Sequence, residues 1–309
     1  HNDFNLSQAH GHRGAARDKA LLECLDAAEK HRLYLIPSAS SVFGNLGVIS
    51  LTRNHPAVFM WYHADEPWGD IARLHDSYNA IKMLEPDLPL LIVQNNPARL
   101  QDTAVAADIL AMDPYPIPNV SLRAVADSTK ASVRSVAGRK PVWTVLPQYG
   151  DKIPTREELR CMVWLALASG ANGLGIYAWD DRVRDPKTNE WRGWHTREHP
   201  EQIENLRAVL GEIRDHESML LAPQAARQPE PPANPAMHAL IREADGRRWL
   251  IVANDSRKAE ETKLAIGTAG SGTAGSGTAK CLLGDGAALS FADGQATLKL
   301  EPLARAVFE

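Results

Sequence analysis

Residues 55–67 read HPAVFMWYHADEP, and this stretch decides the fold. Its apolar run shows little polar alternation, which is typical of a strand that is covered on both faces. The run ends in two acids and a proline. We therefore predict a buried parallel strand over Val58–Glu66, with Asp65 and Glu66 at its carboxyl end. If the strand stays regular, these two side chains point to opposite faces.

Six further apolar runs predict strands of the same kind: Phe4–Gln8, Leu33–Ser38, Pro89–Asn95, Ile109–Pro116, Val142–Gln148 and Gly173–Trp179. Amphipathic helices are predicted between and after them, at Asp18–His31, Trp68–Leu84, Arg156–Ser169 and about Glu201–Met219. Thr155 and Glu158 form a capping box at the third helix. Repeated strand–helix units predict an α/β fold built on a parallel sheet.

A second region follows a proline-rich segment. Residues 222–236 contain Pro223, Pro229, Pro231, Pro232 and Pro235, a composition typical of a stiff linker. Beyond it, Met237–Glu243 and Arg248–Asn254 flank an Asp-Gly turn, and Ala296–Leu300 alternates. We predict a barrel domain over residues 1–221, a linker over 222–236 and a β-sandwich-like domain over 237–309. The Gly-Thr-Ala-Gly-Ser repeats of Gly267–Ala279 predict a mobile loop.

Composition narrows the classes of function. The 309 residues include 38 acidic and 34 basic side chains, without a long basic run, so we expect no nucleic-acid partner. No apolar run approaches the roughly 18 residues of a membrane span, so we expect no membrane insertion. The three cysteines are far apart and predict neither a disulfide framework nor a metal site. The compartment stays open, and a neutral substrate fits the charge best.

Polar or aromatic residues follow every predicted strand, where a parallel barrel carries its chemistry. They are Ser7 and Gln8, Ser38 and Ser40, Asp65 and Glu66, Gln94 to Asn96, Asp113 and Tyr115, Gln148 and Tyr149, and Trp179 to Asp181. One polar strand exit is unremarkable because chains leave sheets toward water. Seven in register favour a binding or catalytic face.

An apolar strand ending in Asp-Glu-Pro resembles the fourth strand of the retaining (β/α)8 glycoside hydrolase clan, in which Asn/Asp-Glu-Pro carries the acid/base Glu. The stretch from Lys140-Pro141-Val142-Trp143 to Gln148-Tyr149-Gly150 resembles the clan's seventh strand. Gly173–Trp179 resembles its eighth, which ends in an aromatic sugar platform. The resemblance covers roughly residues 4–220. It implies a TIM (β/α)8-type barrel, a glycosidase activity and Glu66 as the acid/base.

Glycosidic cleavage requires a proton donor for the leaving oxygen and a carboxylate for the charge at the anomeric carbon. Glu66 is the candidate donor, although an acid before Pro67 also suits a helix start. The clan's nucleophilic Glu is matched by Gln148, an amide that cannot act as that nucleophile. The remaining carboxylates at suitable strand ends are Asp113 and, after the last strand, Asp180 or Asp181. Asp113 is the candidate for a catalytic or sugar-binding role, with a turn built by Pro114 and Pro116 as the alternative.

Two other schemes stay open. Adjacent Asp65 and Glu66 resemble the hexosaminidases in which an Asp orients a participating acetamido group, an arrangement that needs a twisted strand end. A carbohydrate-binding pseudoenzyme fits the loss of a carboxylate at Gln148. The candidate substrate-binding residues are Asp65, Gln94, Asn95, Tyr115, Gln148, Trp179, Asp180, Trp191 and Trp194. Trp61 and Trp143 lie inside strands and are expected to pack.

No cofactor is expected. His55, His63, His195 and His199 lack metal-ligand spacing, so we predict no catalytic metal, and no glycine-rich phosphate loop follows a strand. Counting back from Asp-Glu-Pro as the fourth strand makes Phe4–Gln8 the second. We therefore expect the first strand to precede His1, supplied by an upstream segment or by another chain that completes the barrel.

Overall fold

The computed structural model describes residues 6–9, 15–39, 46–149, 153–178, 183–184, 187–188, 191–192, 199–265, 279–284, 287, 289–292 and 295–309. For residues 6–9, 15–17, 183–184, 191–192 and 291–292 it describes the backbone alone. The repeats of Gly267–Ala279 lie outside the described residues except for Ala279. The predicted site residues Trp179, Asp180 and Trp194 also lie outside them.

Seven strands form the parallel part of the fold, and all seven predicted strands are confirmed. They are β1 (Leu6–Ala9), β2 (Tyr34–Pro37), β3 (Trp61–Asp65), β4 (Leu90–Gln94), β5 (Ile109–Met112), β6 (Val142–Pro147) and β7 (Gly173–Tyr177). The strand predicted over Ile109–Pro116 ends four residues early, at Met112. Pro114 and Pro116 have no N–H to donate to a ladder, which accounts for the early end.

The helices that follow these strands are α1 (Ala15–Lys30), α2 (Gly47–Thr52), α3 (Ile71–Leu84), α4 (Leu100–Ala104), α5 (Arg123–Ser135), α6 (Arg156–Ala168), α7 (Glu201–Arg214) and α8 (Glu217–Leu221). Two predicted starts can be compared with them. The capping box of Thr155 and Glu158 at α6 is confirmed. Helix α3 begins later than expected, because the Asp70 side chain accepts from the Ala72 N–H and caps it there.

The single long helix predicted from Glu201 to Met219 is wrong, because the chain breaks it into α7 and α8. His216 has a non-helical backbone, with φ −121° and ψ 19°. Its ring N–H donates to the Glu212 carbonyl at 2.8 Å. Its backbone N–H donates to the Ile213 carbonyl instead. A side chain that takes the carbonyl of the preceding turn ends the helix locally.

Strand order identifies the type of α/β fold. Strands β3 to β7 form one sheet in the order of the chain, and β1 pairs parallel with β2. Isolated parallel bridges from Leu35 to Val58 and from Ser38 to Tyr62 join β2 to β3. A doubly wound sheet would reverse its strand order at a switch point. Sequential order without reversal is that of a TIM-type barrel.

Seven parallel strands are found among the described residues. The expectation that a further first strand precedes His1 stays a prediction. The chain divides into two compact units, one of residues 1–113 with 131–143 and the other of residues 114–130 with 144–309. The division passes through β6.

The first unit buries the apolar stripes that the sequence predicts for its helices. On α1, Leu25 and Ala28 are buried in a cluster with Trp61 and Ile81, and Leu21 and Leu22 pack at its margin. On α3, Leu74 is buried in a neighbouring cluster, and Ile71 and Tyr78 pack against it. These stripes cover one face of the parallel strands.

Two antiparallel sheets make up the C-terminal part of the second unit. One has the order β10 (Met237–Ala244), β11 (Arg247–Asn254), β16 (Arg305–Phe308), β13 (Cys281–Leu283), and the other the order β12 (Glu260–Ala265), β15 (Gln295–Leu300), β14 (Leu289–Ala292). Both sheets contribute buried side chains to one apolar core. The predicted Asp-Gly turn is confirmed, since Asp245 and Gly246 have φ of 52° and 74°, as a two-residue hairpin of type I′ requires.

The α1 stripe gives a stability test. We expect Leu25→Ala to lower the free energy of unfolding by roughly 2–5 kcal/mol, because Leu25 is fully buried and its removal leaves a cavity. Leu84→Ala is the matched control, since Leu84 lies partly exposed at the end of α3. Urea denaturation measures both. Equal losses would contradict the packing of α1.

Candidate active site

Strand β3 contains a bulge before its carboxyl end. In its pairing with β4, Tyr62 lies opposite Leu91 and Ala64 lies opposite Ile92, so His63 is one residue too many. A bulge of this kind interrupts the alternation of side chains and increases the local twist. The prediction that Asp65 and Glu66 point to opposite faces assumed a regular strand. The end of β3 is not regular.

Glu66 follows the bulge in a left-handed conformation. Its φ is 41°, which is uncommon and strained for a residue other than glycine. Its backbone N–H still donates to the Val93 carbonyl at 2.9 Å, so the turn stays attached to β4. Asp65 is exposed beside it, and its Oδ1 accepts from the Tyr62 hydroxyl at 2.7 Å. The twisted strand end brings two acids out of the sheet at one point.

Asp113 supplies a third carboxyl group. It follows β5 directly and is only 6% exposed. Burial is the largest cause of a raised pKa of about 7, and a hydrogen bond with the Glu66 side chain, the Glu66 charge and the Asp65 charge act in the same direction. The alternative was that Asp113 only forms a turn with the two prolines. A turn does not account for the hydrogen bond between the Asp113 and Glu66 side chains.

This pairing holds a proton at neutral pH. Two carboxyl groups in contact resist double ionisation, because like charges repel and burial disfavours charge. When Asp113 is protonated, its hydroxyl donates to the Glu66 carboxylate. Asp65 adds negative charge nearby and favours the protonated form further. The carboxyl pair is a reservoir for one proton that titrates near the pH of the cell.

Buried polar atoms without partners lie at the ends of β4 and β5. Gln94 is 1% exposed, and its Oε1 accepts from the Asn96 N–H at 2.9 Å. Its Nε2, the Asn95 Oδ1 and the Asp113 Oδ1 have no hydrogen-bond partner among the described residues. Each such atom costs roughly 1–3 kcal/mol when left unsatisfied. All three atoms belong to residues that the sequence predicts for the site.

His63 takes no part in this cluster. Its ring is fully buried, and its Nδ1–H donates to the Ala106 carbonyl at 3.0 Å. Burial lowers its pKa to about 4, so the ring is neutral at physiological pH. It also lies near the Tyr78 ring of α3. The bulged residue therefore points toward the helices.

In the second unit, three tyrosines form an aromatic cluster. Ring centroids of Tyr149 and Tyr177 are 5.1 Å apart, those of Tyr115 and Tyr149 are 5.4 Å apart, and those of Tyr115 and Tyr177 are 6.3 Å apart. The sequence identified Tyr115 as a substrate-binding candidate and Tyr149 as a strand-exit residue, but it did not identify Tyr177. Strand β7 was predicted to continue to Trp179, yet it ends at Tyr177. A strand end predicted at residue 177 would have identified Tyr177 as a strand-exit residue.

Gln148 is buried at the end of β6 in the same unit. Its Nε2 donates to the Gln202 carbonyl at 3.1 Å, and its backbone N–H donates to the Tyr177 carbonyl at 2.6 Å. Its Oε1 has no partner among the described residues. One half of the amide therefore holds α7, and the other half remains able to accept a hydrogen bond.

The remaining predicted residues divide into two groups. Trp61 is fully buried in the first unit, as expected for a packing residue. Trp191 lies in the short strand β9 (Trp191–Arg192), which pairs with β8 (Val183–Arg184) and is described by its backbone alone. With Trp179, Asp180 and Trp194, it stays a prediction.

The described residues contain neither a metal-binding cluster nor a membrane-spanning helix. In those residues, no group of three or more His, Cys, Asp or Glu side chains is arranged to hold a metal ion. No helix within the described part of the chain combines the length and apolar composition that a membrane crossing requires.

Several solved glycoside hydrolases are similar in fold to this chain. The noncanonic maltogenic α-amylase AmyB from Thermotoga neapolitana has a TM-score of 0.57 at 10% identity, over 99% of this chain and 98% of that one. An Anoxybacillus α-amylase has a TM-score of 0.56 at 11% identity, over 96% and 79%. The GH30 endoxylanase from Clostridium papyrosolvens has a TM-score of 0.50 at 12% identity, over 98% and 88%.

These comparisons define the class of fold. The chain has the fold of the TIM-barrel glycoside hydrolases that carry a C-terminal β domain. No protein-family model matches the sequence, and no curated protein matches it. Identities near one residue in ten support the fold. They do not define the reaction, which depends on the side chains of the site.

The pKa of Asp113 predicts how stability depends on pH. An unfolded Asp loses its proton near the usual value of 3.8, whereas the folded chain keeps it to about 7. Between these values the folded state binds more protons than the unfolded state. The free energy of unfolding therefore falls as pH rises, by about 1.4 kcal/mol for each pH unit. We expect Asp113→Asn to remove this loss, and to be more stable than the wild type at pH 8.

Denaturant midpoints at intervals from pH 4 to pH 8 measure the effect. Asp76→Asn is the control, since Asp76 is an exposed carboxylate on α3 in the same unit. The control should keep the wild-type slope. If Asp113→Asn keeps it as well, the raised pKa is wrong.

Proposed function

We propose that the protein hydrolyses a glycosidic bond in an oligo- or polysaccharide, with Glu66 as general acid and base. The observation that carries this proposal is the hydrogen-bonded pair of Glu66 and Asp113, with the pKa of Asp113 raised to about 7. Titratable groups that burial and a charged neighbour tune toward neutral pH are typical of acid–base catalysts. The Asp-Glu-Pro exit of β3 supports the retaining clan as the particular relative.

In the proposed reaction, Glu66 donates its proton to the glycosidic oxygen as the bond to the anomeric carbon breaks. A water molecule then supplies hydroxide to that carbon, and the Glu66 carboxylate takes up the remaining proton. The proton that Glu66 donates is the one that it shares with Asp113, and the proton released by the attacking water returns to this pair. The left-handed turn at Glu66 places the carboxyl group beyond the end of β3, where a substrate can reach it.

The contact between the two carboxyl groups limits the role of Asp113. Carboxyl groups that flank a glycosidic bond stand about 5–5.5 Å apart in retaining enzymes and about 6.5–9.5 Å apart in inverting ones. Hydrogen-bonded groups are closer than either separation. We therefore assign Asp113 to the Glu66 proton, and not to attack on the anomeric carbon.

Substrate binding is proposed for the polar atoms without partners. The Gln94 and Asn95 amides in the first unit and the Gln148 amide in the second each have an atom that can bond to a sugar hydroxyl. Tyr115 offers an aromatic face to the apolar side of a pyranose ring. Within each unit, these features support a neutral carbohydrate as the ligand.

A second candidate is substrate-assisted hydrolysis of an N-acetylated sugar. It is favoured by the exposed Asp65 carboxylate, which the Tyr62 hydroxyl orients beside Glu66 on the twisted strand end. In this reaction the acetamido oxygen of the substrate attacks the anomeric carbon, so that no protein nucleophile is needed. That requirement agrees with the amide at Gln148. The hydrolysis of N-acetylated but not deacetylated chito-oligosaccharides would select this candidate.

The Glu66→Gln variant tests the proposal. We expect turnover of an oligosaccharide to fall by roughly 10²- to 10⁴-fold, because the amide cannot donate the proton that a sugar leaving group needs. The substrates are gluco-, xylo- and chito-oligosaccharides, followed by product chromatography. The Asp76→Asn control should keep wild-type activity and melting temperature, and the Glu66→Gln protein should still unfold in one cooperative transition, which shows that it is folded.

Two outcomes would count against the proposal. A Glu66→Gln rate within tenfold of the wild type, about 1.4 kcal/mol in barrier, would remove Glu66 from the mechanism. Binding of an oligosaccharide by the wild type without any turnover would identify a carbohydrate-binding pseudoenzyme instead.

A further inference from the structure

Trp68 is exposed beside the candidate acid. It is the second residue after Glu66, and 65% of its surface is accessible to solvent. Tryptophans are large and mostly buried on average, so one exposed to this extent leaves much apolar area in water. Two trans peptides span at most about 7.6 Å between Cα atoms, which keeps Trp68 close to Glu66.

The backbone of Trp68 is fixed from a second strand exit. One nitrogen of the Arg99 guanidinium donates to the Trp68 carbonyl, and another donates to the Gly69 carbonyl at 2.8 Å. Arg99 ends the short 3₁₀ turn Pro97–Arg99 after β4, and the Asn96 side chain caps that turn. The planar guanidinium therefore ties the loop after β3 to the loop after β4.

Helix α3 fixes the other side of the loop. The Asp70 side chain accepts from the Ala72 N–H at 2.9 Å and determines where the helix begins. Trp68 thus lies between a left-handed turn, a guanidinium clamp and a helix cap. A rigid backbone that carries an exposed aromatic ring loses little conformational entropy when a ligand binds. A fixed backbone favours binding only if the ring contacts a ligand.

We propose that Trp68 stacks on the sugar at the leaving-group side of the scissile bond, and that Arg99 is the positioning residue for it. The inference rests on the proposed function, in which Glu66 protonates the leaving oxygen. An acid in that role stands beside the leaving sugar, and Trp68, two residues further along the chain, lies close enough to contact the same sugar. The indole recognises the apolar face of a neutral pyranose. Trp68 therefore favours oligosaccharides over glycosides with a small leaving group.

Calorimetric titration in the Glu66→Gln background tests the proposal without cleavage of the probes. The probes are the hexasaccharides of the cello, xylo, malto and chito series. On the probe that binds best, we expect Trp68→Ala to weaken affinity by about 3- to 10-fold and Trp68→Phe to weaken it less, since phenyl keeps an aromatic face. Met83→Ala is the control, because Met83 is 87% exposed on α3 and should change nothing.

A double-mutant cycle tests the clamp. Arg99→Met should weaken affinity, but by less than Trp68→Ala, and Trp68→Ala with Arg99→Met should lose no more than Trp68→Ala alone. Additive losses would contradict a role of Arg99 through Trp68.

The outcomes separate the two proposals. If the Glu66→Gln protein binds a hexasaccharide and Trp68→Ala binds it equally well, the role of Trp68 is wrong and the proposed function stands. If none of the four hexasaccharides binds, both are wrong. A loss confined to Trp68→Ala and Arg99→Met supports the stacking role.

Discussion

A parallel strand that is covered on both faces is mostly apolar along its length, so accessible polar side chains are found mainly where it leaves the sheet. Every residue of β4 and β5 is buried, and the first polar functional groups appear at Gln94 and Asp113. Backbone groups obey the same constraint, since the Glu66 N–H remains bonded to β4 although the chain has already turned. The chemistry of the first unit is therefore concentrated at the carboxyl ends of three adjacent strands.

The carboxyl pair at these ends costs folding free energy. Asp113 loses solvation on burial and also faces the charges of Glu66 and Asp65, and each effect raises its pKa. The amide and carboxyl atoms without partners add to the cost. A fold that served stability alone would place apolar side chains here. Costs that cluster at one strand edge are typical of a site whose ligand supplies the missing interactions.

Local features of this fold could be predicted from the sequence, and features that depend on distant pairing could not. The seven strands, the Thr155 capping box and the Asp-Gly hairpin follow from patterns within a few residues. The contact of Glu66 with Asp113 joins residues 47 positions apart and depends on the bulge at His63, for which the sequence has no marker. The break before α8 depends on one side-chain bond from His216, which competes with a good helical pattern.

Shared fold and low identity together limit what structural comparison implies about the substrate. An α-amylase and an endoxylanase both have the fold of this chain, although their names describe different polysaccharides. Specificity must therefore come from side chains at the strand exits, since the barrel itself is common to both. In this chain the exits of β3 and β4 combine a proton-sharing carboxyl pair with a clamped, exposed indole. Under the proposed function, Glu66 protonates the leaving group and Trp68 stacks on it, so the two residues act together only on a substrate that continues past the cleaved bond.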